Sequence, residues 1–472
     1  NLVLKALNLY DSKLFGLLGK HSRQSVKQSF KTFNIDKLID TQKVIINQKQ
    51  IYQKAIQLIK NSHSNKDILQ WKLPYNFPPT LLYDSILKEL GTPNIDINNP
   101  LLITILTKLL GEIEVSFKVF SKYNFSLYLC SHSIGSTYGC MIWAAIKNKV
   151  KVLCLYGDFG GIRFINYKSL SQLTDHICPV PTKKEFFTLD QNSQNIFLEK
   201  GKDYLSDRLN SKTTDIGAKL AIHKKKEQIN KSDIFKYFKS QQKQIITVYT
   251  HHWSDYPHSL GLKNFLDFKE WFDITLEQAI KSKEYLWLFK GHPISEKYKY
   301  SSSKILNKFI EKNKNIHHVK TVPDNWDWKS LLDTTDYFIT CVGSIGFEAS
   351  ALKKHVLISD IGWYGHLGFG KISHSKKDYV KDLQSKWWNE IDLDISYENA
   401  LKFMGIYYGN PDWLSDYVFK DDSEQNNIYI NVKDFLNSNS NNLVREINCL
   451  QNWVQSNSVH YHIFKNLHYK LK

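Results

Sequence analysis

Between residues 244 and 359 the chain alternates apolar runs with amphipathic stretches, and this alternation restricts the fold more than any other feature. QIITVYT (244–250), YLWLF (285–289), IHHVK (316–320), YFITC (337–341) and VLIS (356–359) read as strands. Between them Phe268, Phe272, Leu276 and Ile280 fall on one helical face, and further helices are predicted near 303–313, 328–334 and 345–353. Strands that alternate with helices predict a parallel, doubly wound sheet. Such sheets bind ligands beyond the carboxyl ends of their strands. Three chemically rich segments fall at that edge: THHWSDYPHSLG (250–261), KGHP (290–293) and CVGSIGFEA (341–349).

A second βαβ pattern lies upstream. FSLYLC (125–130) and VKVLCLY (150–156) read as strands and GSTYGCMIWAAIKN (135–148) as the helix between them. Residues 1–115 read mainly as helices; Val44, Ile45, Ile51, Tyr52, Ala55 and Ile59 mark one over 43–60. The polar HKKKEQINKSD (223–233) is the predicted linker, dividing the chain into 1–235 and 236–472. A chain of 472 residues is long enough for two domains with a full core each. The first residue is Asn1 with no charged-then-apolar leader, so a fragment or processed chain is expected.

The net charge of +17 invites a nucleic-acid reading. However, Arg occurs only at 23, 163, 208 and 445, and base readers favour Arg for bidentate contacts. Aromatic residues do not interleave with basic patches on any one element, which argues against a nucleic-acid partner. The basic surface suits anionic substrates or an anionic membrane face. No run reaches about 18 uninterrupted apolar residues, so no membrane span is expected. The six cysteines have no metal-ligand spacing and several sit in apolar runs, which suggests reduced core thiols and a cytoplasmic protein. The DLD at 392–394 has the spacing of a metal-binding pair but lacks a preceding strand, and reads as a solvated loop. No metal and no cofactor are expected.

In CVGSIGFEA, Gly343 and Gly346 allow a tight turn into a helix whose N-terminus suits phosphate. Ser344 and Glu348 carry two readings. They cap the helix and answer its dipole, or Glu348 accepts hydrogen bonds from ribose hydroxyls. In KGHP, His292 stands at a strand end where a ring nitrogen can meet a phosphate or base. Lys290 adds a point charge there and Pro293 fixes the exit.

KGHP together with FITCVGSIGFEASALKKHVLISDIGWYGHLGF (338–369) resembles the carboxyl half of capsule and surface-polysaccharide transferases, the β-Kdo transferases and more distantly the teichoic-acid glycerophosphate polymerases. THHWSDYPHSLG is similar to the loop that opens their second domain, and SHSIGSTYGCMIWAAIKNKVKVLCLYGDFGGIRF (131–164) to a His-and-Gly element of their first. The resemblance spans about 120–370. It implies a GT-B fold: two Rossmann-like domains with parallel sheets facing a cleft, here with an added helical N-terminal region. Lys353, Lys354, His355 and Val356 depart from the Gly-Lys-Pro-Val of many relatives, and the first 115 residues match nothing in the family.

The implied activity is a metal-independent glycosyltransferase with a nucleotide-sugar donor, CMP-Kdo first, and a glycan or glycolipid acceptor. CDP-glycerol, a UDP- or GDP-sugar, and a non-catalytic sugar-nucleotide-binding subunit are the alternatives. The implied donor residues are Lys290, His292, Pro293, Gly343, Ser344, Gly346 and Glu348, with Tyr364 and Gly365 lining the pocket. Asp255, with His252 and His258 around it, is placed for chemistry as base or nucleophile. Asp158 is the alternative acid, although an Asp turn before Gly160 explains it better. His132, Tyr138 and Arg163 form the expected acceptor side.

Overall fold

The computed structural model describes residues 3, 6–9, 12–19, 30, 35, 37–155, 163–175, 178–210, 212, 226–292, 300–313, 315–409 and 441–469. The amino-terminal part opens with a parallel pair of strands, β1 (Phe15–Leu18) and β2 (Lys37–Asp40). Helices α1 (Gln48–Lys60), α2 (Pro79–Leu90) and α3 (Leu102–Lys122) follow. Pro79 opens α2, where its missing N–H would have no partner anyway, and Gly91 ends it in the left-handed conformation. Then come β3 (Leu127–Cys130), α4 (Gly135–Lys147), β4 (Lys151–Leu155) and β5 (Phe164–Tyr167). β3 and β4 are parallel, as the βαβ pattern predicts, whereas β5 returns antiparallel beside β4. Leu81, Leu82, Leu106, Leu109, Ile113, Ile142 and Val152 fill one core between these helices and this sheet.

The second part contains α5 (Gln191–Leu209), α6 (Lys231–Phe238), β6 (Ile245–Tyr249), α7 (Phe268–Lys281), β7 (Leu286–Lys290) and α8 (Ser302–Lys312). It continues with β8 (Val319–Thr321), β9 (Tyr337–Thr340), α9 (Ile345–Ser350), β10 (His355–Ile358), β11 (Lys371–Ile372) and α10 (Leu393–Tyr408). The strand order is β11-β10-β9-β6-β7-β8, and every neighbouring pair is parallel. From β6 the chain first builds outward to β8, then returns to the other side of β6 and builds to β11. The order reverses between β6 and β9, and the carboxyl ends of those two strands flank the crevice where such sheets take ligands. The α/β class with parallel sheets is as expected.

Three boundaries differ from the sequence reading. The predicted linker at 223–233 is partly built into the fold: Ile229 and Ile234 are buried against Ile245 and Leu286, and Asn230 caps α6. Residues 178–209, expected in the first domain, join the core of the second through Cys178, Val180, Phe186, Phe197 and Leu205. The last two helices, α11 (Asn441–Gln455) and α12 (Tyr461–Tyr469), were expected with the second domain. They also pack on the first sheet, where Cys449, Leu450, Trp453, Tyr461 and Phe464 cluster with Leu153, while Ile463 and Asn466 of α12 meet the second core and α10. In each case a strip of apolar side chains has more to bury than local polarity suggests. The DLD is also not a loop: Asp392 caps α10, accepting from the N–H groups of Asp394 and Ile395 at 3.0 Å each.

α5 and α10 cross at backbone contact. A Cβ on Gly201 would stand 2.0 Å from the Leu401 carbonyl oxygen, and one on Gly405 would stand 2.0 Å from that of Phe197. Only glycine at both positions permits the approach. We therefore expect Gly201→Ala to force the helices apart and lower stability by roughly 1–3 kcal/mol, as overpacking does. A urea titration of the purified variant checks this through a reduced midpoint; an unchanged midpoint would mean the helices separate at no cost.

Candidate functional site

The end of β6 is laced to both its neighbours. The Thr250 N–H and hydroxyl both donate to the Lys290 carbonyl at 3.0 Å, and that hydroxyl lies 2.6 Å from the Ser302 hydroxyl at the start of α8. On the other side the Val342 N–H donates to His251 Nε2 at 3.2 Å, and the Gly343 N–H donates to the Thr340 hydroxyl at 3.2 Å. The three strand-end segments singled out in the sequence thus meet at the order reversal.

Burial sets the chemistry of the histidines there. The His251 ring stacks on Phe268 with centroids 4.3 Å apart, and burial, with His292 beside it, pushes its pKa down to about 3. The ring is neutral, as its role as hydrogen-bond acceptor requires. Burial also lowers the pKa of His252, opposed by the Asp255 carboxylate and helped by the Lys88 ammonium. His292 is lowered too, again by burial, with Asp255 opposing and His252 and Lys290 helping. Asp255 is exposed, and its charge reaches both His252 and His292. An accessible carboxylate beside two neutral imidazoles can take a proton from, or attack, a ligand in the crevice.

His258 has a different task. Its Nδ1 lies 2.7 Å from Asp84 Oδ1 on α2, and Asp84 also accepts from the N–H groups of His258 (3.3 Å) and Ser259 (3.0 Å) and from the Ser259 hydroxyl (3.3 Å). One residue earlier, the Tyr83 hydroxyl donates to Asp267 at 2.6 Å, and Asp267 caps α7. Two adjacent residues of α2 therefore clamp the loop that carries Asp255. That places His258 at the join between the two parts, outside the reactive cluster expected for it. Within the clamped loop Tyr256 has φ +50, a left-handed conformation uncommon for a bulky residue. Its ring lies against Gly135, where a Cβ would stand 2.9 Å from it, so the loop beyond β6 touches the loop beyond β3.

The Gly343–Glu348 turn is supported from below. The Trp363 indole donates to the Val342 carbonyl at 2.9 Å, and the Tyr364 hydroxyl donates to that of Gly343. Tyr364 is only 1% exposed and Gly365 is buried. Tyr364 holds the turn and Gly365 is packed near Ile372 and the Asp360 carbonyl, which corrects the expectation that they line a pocket. Gly346 is small for the same reason, since a Cβ there would stand 2.2 Å from the Tyr364 hydroxyl oxygen. Ser344 makes no side-chain cap. Glu348 is not a solvated dipole partner: its Oε1 accepts from Arg208 Nη2 at 2.7 Å, with the side chains 8% and 12% exposed.

On the facing side His132 and Tyr138 are exposed neighbours, ring centroids 5.1 Å apart. Tyr138 also belongs to the charge environment of Tyr256, whose own pKa is pushed up to about 12 chiefly by burial. Arg163 is not an acceptor contact. It is buried, donates to the Tyr407 carbonyl at 2.8 Å and lies over the Tyr407 ring. Asp158 and Pro293 fall outside the described residues. Sequence reasoning missed Asp84 and Lys88, which share one face of α2 four residues apart. Lys88 Nζ sits 5.4 Å from the Tyr256 ring centroid. It also missed Arg208 as the partner of Glu348; the scarcity of arginine in a lysine-rich chain was the available signal.

Residues 181–386 match the family model described as capsule polysaccharide biosynthesis protein. No curated protein matches the chain. Among solved structures, the beta Kdo 2,4 transferase KpsC of Thermosulfurimonas dismutans is similar at 13% identity over 54% of this chain and 78% of that one, with a TM-score of 0.33. The beta Kdo 2,7 transferase of the same organism is similar at 13% identity, over 61% and 80% of the two chains, with a TM-score of 0.27. Anabaena Alr3699/HepE, solved in complex with UDP, is similar at 9% identity over 86% and 91%, with a TM-score of 0.31.

Two stability predictions follow from this geometry. Asp84→Ala strips four donors of their acceptor, and each buried group so orphaned costs about 1–3 kcal/mol. The variant should melt well below wild type; an equal melting temperature would show that the clamp is not required. His251 binds a proton in the unfolded chain below its ordinary pKa near 6.5, but in the folded chain only near 3. Stability is then lost as pH falls through that window, by on the order of 2 kcal/mol at pH 5. His251→Gln should show a shallower fall in unfolding free energy between pH 7 and 5.

Proposed function

We propose, starting from residues 181–386 as a segment of the capsule polysaccharide biosynthesis family, that the protein is a glycosyltransferase with a nucleotide-sugar donor. The observation that carries this reading is the meeting of three loops at the order reversal of the six-stranded sheet, the place where such sheets take nucleotides. His292 and Lys290 face the donor phosphate from the end of β7, and the Gly343–Ser344 turn faces it from the end of β9. Neutral His292 offers one N–H to a phosphate oxygen without the cost of burying a second charge. Asp255 performs the transfer, as base on the acceptor hydroxyl or as nucleophile on the sugar. The donor is CMP-Kdo and the acceptor a glycan or glycolipid, which reaches the crevice past His132 and Tyr138. The net charge of +17 favours work at an anionic membrane face, and no described helix is long and apolar enough to cross a membrane. No step of the proposed transfer uses a metal.

A thermal-shift screen with CMP, CDP, UDP and GDP tests the reading, because a bound ligand raises the melting temperature by mass action. CMP should give the largest rise. CDP ahead of CMP would favour a glycerophosphate donor, and UDP or GDP ahead would replace the sugar nucleotide. With the donor in hand, Asp255→Asn should abolish turnover while nucleotide affinity stays within about two-fold of wild type, since the carboxylate acts in the transition state. His292→Ala should do the converse first, weakening nucleotide binding in a chain that still folds. Nucleotide binding with no turnover on any donor would identify a non-catalytic binding subunit instead.

A further inference from the structure

Glu348 stands in the first turn after the Gly343–Ser344 turn, where one of the two sequence readings puts a ribose. Its Oε1 is held by Arg208 at 2.7 Å. Arg208 reaches this point from the last turn of α5, about 140 residues earlier in the chain. It is positioned from behind: its Nη1 contacts the Tyr204 hydroxyl at 3.4 Å, and Tyr204 stacks on Tyr408 of α10 with centroids 3.8 Å apart. Tyr249, the last residue of β6, lies in the same field, since the Glu348 charge raises its pKa after burial does. The Tyr249 hydroxyl is buried and has no hydrogen-bond partner among the described residues. The Lys290 ammonium lies 6.0 Å from the centroid of the Tyr249 ring. A buried tyrosine hydroxyl without a partner among the described residues thus stands at the order reversal of the sheet, within the field of Glu348, which Arg208 holds, and near Lys290. Buried hydroxyls in folded proteins are normally served by a protein group, a water or a ligand.

We infer that Arg208 reads the phosphate of the bound nucleotide and that Glu348 is the residue that positions it. The inference rests on the nucleotide reading of this site. A guanidinium is planar and always charged, and it matches phosphate oxygens two at a time, which an ammonium cannot do. The Glu348 carboxylate fixes the plane of that fork, and the Lys290 ammonium neutralises the rest of the phosphate charge. In this arrangement Glu348 does not select the ribose.

The test is isothermal titration of the full chain with cytidine, CMP and 2′-deoxy-CMP, and with uridine and UMP in parallel. Wild type should bind the monophosphate at least ten-fold tighter than the nucleoside. Arg208→Gln should reduce that ratio to two-fold or less while leaving nucleoside affinity unchanged. Arg208→Lys keeps the charge and the pairing with Glu348, so it preserves the fold and should give an intermediate ratio. Glu348→Gln should shrink the phosphate ratio but leave the ribose-to-deoxyribose ratio at the wild-type value. A wild-type phosphate ratio in both Arg208 variants would overturn the assignment, as would a Glu348→Gln protein that loses only its ribose preference. A wild-type chain that binds none of the nucleotides would remove the nucleotide site itself, and this assignment with it.

Discussion

The Asp84 carboxylate is the interaction on which the candidate site depends. A buried carboxylate is costly unless its oxygens are well served. Here one oxygen takes two donors from His258 and the other takes two from Ser259. Those donors sit on the loop beyond β6, while the acceptor sits on a helix of the amino-terminal part. The bonds can form in only one relative placement of the two parts, so they specify register more than they add stability. Tyr83 repeats the arrangement one residue earlier by tying α2 to the cap of α7. With loop and helix fixed, Tyr256 accepts its left-handed backbone and Asp255 is presented to solvent beside His252 and His292.

The histidines illustrate how burial substitutes for special ligands. All three near the crevice have depressed pKa values, and burial is the first cause in each. The differences among them come from neighbours. His251 is stacked and bonded to the Val342 N–H, so it is part of the frame. His252 and His292 share the Asp255 charge and so stay responsive to what enters.

Much of the second sheet was legible because its signals are local. Strands at 245–249, 286–290 and 337–340 fall within a residue of the apolar runs, and the reactive segments stand at their ends as the alternation requires. That logic picked out His292 and Asp255, which lie just past the ends of β7 and β6. What escaped was non-local. Nothing in the sequence around Asp84 or Arg208 announces a partner 174 or 140 residues away. Gly346 and Tyr364 looked like pocket residues because a small residue before a helix and an aromatic in a Gly-rich loop are common to ligand sites and to tight packing. Only the packing of the Tyr364 hydroxyl against the Gly346 backbone, which leaves no room for a Cβ, separates the two. Arg163 was misplaced for a similar reason, since its burial depends on Tyr407 from a helix far along the chain.

The crossing of α5 and α10 has a consequence for how the chain can be divided. By sequence α5 precedes the lysine-rich stretch and α10 follows it, yet each lends the other a glycine notch at atomic contact. The terminal helices α11 and α12 are exchanged in the opposite direction, from the end of the chain back to the first sheet. Each half of the polypeptide therefore carries a piece of the other's interior. A break between residues 210 and 226 would yield two fragments that each expose an unfinished apolar surface, complementary to its counterpart. Such fragments are suited to reconstitution as a split protein, with assembly and folding the same event, and unsuited to life as separate modules.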